Sequence, residues 1–509
     1  MNKRWFRVLF RRRVIISAMI VIQTAFLIYL VVAGSQLSDT INEILRILSF
    51  LVILYIISQR NKGAYKTAWI LLILTFPLFG GLFYLMFRFQ SSTKQTARAI
   101  DRLNQKSRPL YDLPGTSYDR AKQETGPIFP QVRYLQDYMG FPVYDHTETE
   151  YYPSGEAMLE AMLRELRKAE HYIFLEYFII QEGTMWDRLL EVLREKARQG
   201  VVVRVLYDDL GCFLKIPTDY PEQLRDMGIA CLKFNPFRPF LTAKQNNRDH
   251  RKILSIDGKT AFTGGVNLAD EYINAVEKFG YWKDSGILIR GKAAWSFTLM
   301  FLQAWELCSH TAESYEDFYP WKNSPCEIPD DGFVLPYADS PMDVENVGEH
   351  VYLQILNQAT DYVYINTPYL IVDDSMLSAL TLAAKRGVDV RIVTPHIWDK
   401  RLVHMTTRSY YRQLVGEGVK VYEFSSGFLH AKSFVCDDKI ATVGTTNLDF
   451  RSLYLHFECG VWLWNTKSVG KIKTDFLETL RGCQQITDVR TGPVRRFLQE
   501  CLRIFAPLM

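Results

Sequence analysis

From about Tyr134 onward the chain is written twice, and this internal repeat limits its fold more than any other feature. AEHYIFLEYF (Ala169–Phe178) matches ATDYVYINTP (Ala359–Pro368), ARQGVVVRVL (Ala197–Leu206) matches AKRGVDVRIV (Ala384–Val393), and GIACLKF (Gly228–Phe234) matches GVKVYEF (Gly418–Phe424). HRKILSIDGKTAFTGGVNL (His250–Leu268) then matches HAKSFVCDDKIATVGTTNL (His430–Leu448), and DSGILI (Asp284–Ile289) matches ECGVWL (Glu458–Leu463). The blocks keep one order, which chance likeness does not produce. Within each copy a short β-rich run leads into a helical stretch such as Met185–Arg198, closed by Gly200, and then into another apolar strand. That alternation predicts an α/β fold: two halves related by a pseudo-twofold axis, each a mixed, largely parallel sheet flanked by helices. Four prolines in Pro325–Pro341 mark the boundary, giving a first half over 134–325 and a second over 326–509.

Each half carries H-x-K-x4-D followed by G-[GT]-x-N: His250, Lys252, Asp257, Gly264, Gly265 and Asn267, then His430, Lys432, Asp437, Gly444, Thr445 and Asn447. Residues two apart on a strand face the same way, so each histidine shares a face with its lysine. Asp257-Gly258 is a hairpin-turn pair, which folds the strand back and brings Asn267 alongside His250. Imidazole, ammonium and carboxamide converging from both halves suit an anionic phosphodiester. A lone H-x-K on a surface strand would mean little; two copies at matching spacing inside a longer repeat reverse that judgement. Asp257 and Asp437 sit at the hairpin turns, where turn geometry and charge balance explain them better than proton transfer. Asp284 and Glu458, matched by the repeat, are the candidates to orient the histidines through carboxylate–imidazole bonds. Glu176 and Tyr177 read equally as lining of an acceptor site or as a buried strand end. The other seven histidines, among them His404 and His456, are dispersed and take no role. No His/Cys/Asp/Glu cluster has metal-ligand spacing, so no metal or other cofactor is expected and the lysines supply the positive charge. The eight scattered cysteines, with no C-x-x-C pair, read as reduced thiols.

Before residue 90 the chain is apolar in three places: Val14–Val32, Ile44–Ile57 and Thr67–Phe87. The first follows Lys3, Arg4, Arg7, Arg11, Arg12 and Arg13 and is too long for a signal peptide, so it reads as an uncleaved anchor with a cytoplasmic N-terminus. The third holds Pro77, Gly80 and Gly81 at its centre and is followed by Arg88, Lys94, Arg98, Arg102, Lys106 and Arg108. A single span would put everything after it outside, whereas those cations favour the inside. A segment that dips in and returns reconciles the two, and an ordinary span kinked at Pro77 is an equal reading. The expectation is a multi-pass plasma-membrane region over 1–90, a basic linker over 91–133 and a cytoplasmic catalytic part.

The paired motifs resemble the phospholipase D superfamily. NNRDHRKILSIDGKTAFTGGVNLADEY, FGYWKDSGILIRG and GFLHAKSFVCDDKIATVGTTNLDFRSL, with the apolar N-terminal pair, are similar to bacterial cardiolipin synthases from about residue 41 to the carboxyl end, including the amphipathic Arg495–Leu508. His456 departs from the pattern, standing where the family usually has Asn, and the first hydrophobic segment is extra. The resemblance implies two-step phosphatidyl transfer: one histidine attacks phosphorus of phosphatidylglycerol while the other protonates the departing glycerol. A second phosphatidylglycerol then attacks the phosphatidyl-histidine to give cardiolipin. Family precedent favours His250 as the nucleophile, and its neighbours Arg248 and Arg251 are compatible with a neutral imidazole. The implied partners are phosphatidylglycerol and cardiolipin in the membrane. A net charge of +4 and the apolar segments weigh against nucleic acid, and a homo-oligomer is left open. Two rivals stand beside this reading: a membrane-bound hydrolase of the same fold releasing phosphatidic acid, and a non-catalytic membrane scaffold, which two intact motif sets disfavour.

Overall fold

The computed structural model describes residues 39–60, 62–76, 80, 81, 84, 85, 91–111, 116–237, 243–322, 326–343, 345–490 and 492–508, with residues 21, 25 and 29. Nearly all of the expected anchor Val14–Val32, Pro77 and the boundary residue Pro325 lie outside them. The chain forms two compact units, one of residues 1–95, 236–246 and 504–509 and the other of 96–235 and 247–503.

In the smaller unit the helices Asp39–Ser58 and Gly63–Thr75 bury Val52, Ile56, Trp69 and Ile73 against one another and Tyr84. Ile44, Ile47, Phe50, Leu51, Leu54 and Ile57 of the first helix stay exposed as an apolar ridge. Among the described residues no helix is long and apolar enough to cross a membrane.

The larger unit is the duplicated part. Its first half contributes β1 (Thr147–Tyr152), β2 (Tyr172–Tyr177), β3 (Val202–Asp208), β4 (Ala230–Phe234), β5 (Arg248–Asp249), β6 (Lys252–Ile256), β7 (Thr260–Gly264), β8 (Tyr281–Lys283) and β9 (Gly286–Gly291). The second contributes β10 (Phe333–Asp339), β11 (Tyr362–Asn366), β12 (Leu370–Ile371), β13 (Asp389–Pro395), β14 (Lys420–Phe424), β15 (Gly427–Leu429), β16 (Ser433–Cys436), β17 (Ile440–Gly444), β18 (Leu448–Asp449), β19 (His456–Trp464) and β20 (Cys483–Gln485). The sheet orders are β1-β9-β7-β6-β2-β3-β4 and β10-β19-β17-β16-β11-β13-β14-β20, so the repeated blocks occupy equivalent places. The expected helix at Met185–Arg198 runs Thr184–Arg198, and Gly200 follows at φ 90°, a conformation a side chain disfavours.

The sheets are mixed, but the expectation of a largely parallel arrangement is corrected. Only β2–β3–β4 and β11–β13–β14 run parallel within them; the neighbours β1, β9, β7 and β6, and their counterparts, are antiparallel. The reason is the motif itself: a hairpin turn at Asp257-Gly258 or Asp437-Asp438 forces the strand to double back, whereas parallel pairing needs a crossover helix. Pro336 lies inside β10, at the sheet edge, where its missing N–H costs least.

Both faces of the sheets are buried. Leu254 and Ile256 of β6 join the core of the first half, while Ile253, Ile287 and Ile289 meet Val435, Val443 and Val461 of the second half in a shared core. The helix Ala294–Ser309 is apolar almost all round and buried along most of its length, as befits a helix with sheet or helix on every side. Residues 91–133 hold the helices Ser91–Ser107, Thr116–Glu124 and Phe129–Arg133, of which Leu103, Ala121 and Val132 are buried.

Candidate active site

Both histidines sit where a short strand of one half has just paired with the other half. β5 pairs in parallel with the start of β19, His456 opposite Arg248 and Phe457 opposite Asp249, and the His250 N–H then donates to the Phe457 carbonyl at 2.9 Å. β15 pairs in parallel with β8, Phe428 opposite Trp282 and Leu429 opposite Lys283, and the His430 N–H donates to the Lys283 carbonyl at 2.7 Å. The next residue on each partner strand is a carboxylate. Glu458 therefore reaches His250, with both oxygens 3.0 Å from Nδ1, and Asp284 reaches His430, with Oδ2 2.7 Å from Nδ1. Each histidine is held by the carboxylate of the opposite half, so neither half makes a complete site alone.

Residues 265 and 445 fit the repeat to its two carboxylates. A Cβ at Gly265 would lie 2.0 Å from Asp284 Oδ1, so only glycine leaves room for the shorter acid. At the matching position the Thr445 hydroxyl donates to Glu458 Oε2 and accepts from the Cys459 N–H at 3.0 Å. The lysines take the same pose in both halves: Lys252 Nζ donates to the His250 carbonyl at 2.5 Å, and Lys432 Nζ donates to that of His430. Phe178 lies edge-on to His250 with centroids 5.0 Å apart, while Tyr272 and Trp282 wall His430 at 5.5 and 5.4 Å.

The electrostatics show that the four groups share one space. Burial pushes the His250 pKa well below the ordinary histidine value, and Lys252, Lys432 and His430 push it further. His430 is brought down to about 4 by burial and Lys432, against the opposing pull of Asp284. Burial likewise lowers Lys252 to about 8 and Lys432 to about 7, although Glu458 and Asp284 oppose it. Burial alone would raise Asp284, but His430 and Lys432 hold it below the usual carboxylate value. Both imidazoles are thus neutral at pH 7. With the single ring proton on Nδ1, donated to a carboxylate, Nε2 keeps its lone pair.

The remaining expected residues separate into those near this centre and those remote from it. Asp257 is at the far end of β6, about 17 Å along the strand at roughly 3.3 Å per residue, and accepts from the N–H groups of Glu170, His171 and Tyr172. Asp437 does the same for Thr360, Asp361 and Tyr362. Both are hairpin residues at positive φ, 52° and 51°, that tie the turn to the start of the neighbouring strand, β2 or β11. The asparagines are engaged in positioning loops: Asn267 donates to the Tyr272 hydroxyl at 2.8 Å and accepts from the Ile179 N–H, and Asn447 donates to the Ser452 hydroxyl at 3.0 Å. Glu176 is fully buried and pairs with Arg251 at 2.7 Å, and Tyr177 is buried in the core. Arg248 and Arg251 do not bear on the His250 ring as cations, because Asp208 holds the first and Glu176 with Asp249 the second. That role falls to Lys252 and Lys432.

One residue given no role by its sequence context belongs here. His456 opens β19, with its ring centroid 5.4 Å from that of His250. Sequence spacing offered no metal-ligand cluster, but folding brings ligand atoms of His250, His456 and Glu458 within 4.8 Å of one another. The signal available was the H-x-E spacing on one strand, which puts His456 and Glu458 on a common face; the third member comes from the other half.

A family model described as "Cardiolipin synthase, PLD-like domain" matches residues 162–281 and 352–480, one copy in each half, and "Phospholipase_D-nuclease N-terminal" matches 47–88. An uncharacterized protein of Streptococcus mutans is 45% identical over 86% of this chain and 94% of its own. Cardiolipin synthases of Alkalihalophilus pseudofirmus and of a Geobacillus species are 35% and 36% identical, each over 91% of this chain and 92% of theirs. Among solved structures, phosphatidylserine synthase of Haemophilus influenzae shares the fold, with a TM-score of 0.55 at 15% identity over 74% of this chain and 97% of that one. Relatives so similar along nearly their whole length, with the family's own domain found in both halves, place the chain in the PLD-like cardiolipin synthase family.

Proposed function

We propose that the protein is a phosphatidyltransferase that joins two phosphatidylglycerol molecules into cardiolipin, releasing glycerol. The observation that carries this is the reciprocal pairing of His250 with Glu458 and His430 with Asp284 around two buried lysines. In-line displacement at phosphorus needs a nucleophile and a proton donor on opposite sides, and two histidines from opposed halves supply them. Nε2 of His250 attacks phosphorus; the P–O bond to glycerol breaks, and His430 gives the departing oxygen its proton. A hydroxyl of the second phosphatidylglycerol then loses its proton to His430 and attacks phosphorus, breaking the P–N bond and freeing His250. Lys252 and Lys432 face the equatorial oxygens and offset the charge that develops there. An arriving phosphodiester anion favours protonation of His430, whose free-state pKa of about 4 leaves it otherwise neutral.

The apolar ridge of the helix Asp39–Ser58 supports residence at the bilayer, where the substrate is found. Lys94, Arg98, Arg102, Lys106 and Arg108 favour the cytoplasmic side for the catalytic part. The test is incubation of the purified full-length protein with labelled phosphatidylglycerol in vesicles. Cardiolipin and glycerol in equal amounts are expected. Phosphatidic acid as the main product would make it a hydrolase, and no product at all would return it to a scaffold.

A further inference from the structure

The His250 side of the centre holds one more group than phosphatidyl transfer uses. His456 and Glu458 are two residues apart on β19 and share a face, and β5 brings His250 onto that face from the other half. His456 Nδ1 is 3.8 Å from Glu458 Oε1, too far for a hydrogen bond. The His456 side chain is 9% exposed, and among the described residues neither of its ring nitrogens has a hydrogen-bond partner. A buried imidazole with both nitrogens unmet is rare, since such groups are nearly always satisfied. Two imidazoles and one carboxylate, with all ligand atoms within 4.8 Å, form a donor set suited to zinc-class divalent ions with a fourth position open.

We propose that His250, His456 and Glu458 form an inhibitory site for a zinc-class divalent cation. Binding takes the Nδ1 lone pair of His250, a ring nitrogen of His456 and an oxygen of Glu458. The ring proton of His250, which Nδ1 donates to Glu458 in the free protein, moves to Nε2, and the imidazole stays neutral. Nε2 thereby loses the lone pair that attacks phosphorus, so the ion silences the nucleophile without filling the space between the lysines. The inhibition rests on the proposed role of His250, whereas the binding rests on the cluster geometry alone.

The test uses the purified full-length protein and two readouts. Co2+ serves as a spectroscopic probe, with titration expected to give one equivalent of a visible d–d band that Zn2+ displaces. Labelled phosphatidylglycerol turnover measures zinc inhibition relative to each variant's own metal-free rate. His456→Asn, and His456→Gln as a second variant, should lose the band and need at least tenfold more zinc for half-inhibition. The proposal is overturned if the parent protein gives no saturating band, if both variants keep the parent's zinc sensitivity, or if thiolate-to-cobalt charge transfer assigns the ion to a cysteine. A saturating band lost in the variants, in a protein that makes no cardiolipin, would uphold the site and sink the functional reading. Full cardiolipin synthesis with no band would do the reverse.

Discussion

At the scale of single residues, the roles of the site follow from which cations face which ring. Both histidines are neutral well below pH 6.5, so loss of the proposed nucleophile by protonation should come late on the acid side. The buried lysines, brought to about 7 and about 8, set the alkaline side, where their charge is lost. We expect kcat/KM for phosphatidyl transfer to fall as pH rises through 7 to 8, and a profile still rising at pH 9 would contradict this. The linked stability has a definite sign. A lysine whose folded pKa is depressed penalises the folded state below that pKa, and the penalty is relieved as pH rises towards the unfolded value of about 10.4. Thermal unfolding of the parent should therefore gain on Lys432→Met between about pH 7 and pH 10. Gly265→Ala places a methyl 2.0 Å from Asp284 Oδ1 and should cut turnover by about 10²-fold or more by turning His430. Asp257→Ala should act on stability instead, costing about 1–3 kcal/mol for the Glu170, His171 and Tyr172 N–H groups left without an acceptor, in denaturant unfolding. The histidines, the lysines and the orienting carboxylates were all legible from the repeat. His456 was not, because His250, the third member of its cluster, comes from the other half, and Arg248 and Arg251 misled because Asp208 and Glu176, which pair with them, lie on strands far away in sequence.

At the scale of elements, the site depends on two short parallel pairings, β5 with β19 and β15 with β8, that exchange strand segments between halves. The second allows no side chain at Gly427, where a Cβ would lie 1.9 Å from the Tyr281 carbonyl oxygen. Gly427→Ala should part β15 from β8, withdraw His430 from Asp284, and lower both turnover and the unfolding midpoint. Unchanged turnover in that variant would mean that the pairing does not position His430. Neither pairing is written in the sequence. Runs of two or three residues carry no period, and their partners are fixed only when the halves dock. The helix Thr184–Arg198 was legible to within a residue because its apolar spacing is local. The direction of the sheets was misread for a related reason: alternating strand and helix suggested parallel pairing, while the hairpin at each motif reverses the chain.

At the scale of the whole molecule, duplication explains why the chain is long and why its chemistry is compound. Each copy brings a histidine and a lysine to the centre and lends its carboxylate to the other, and the core of Ile253, Ile287 and Val461 locks the copies together. The equal order of the repeated blocks made the two-halved α/β architecture legible, but the exchange of carboxylates was hidden, since the repeat alone is silent on which copy serves which. The central claim is that this shared centre works through a phosphatidyl group on His250. The direct measurement is mass spectrometry of His430→Ala after reaction with an activated phosphatidyl donor whose leaving group needs no acid. The adduct should accumulate on His250 and be missing from His250→Ala. An adduct on another residue, or one that survives His250→Ala, would contradict the account.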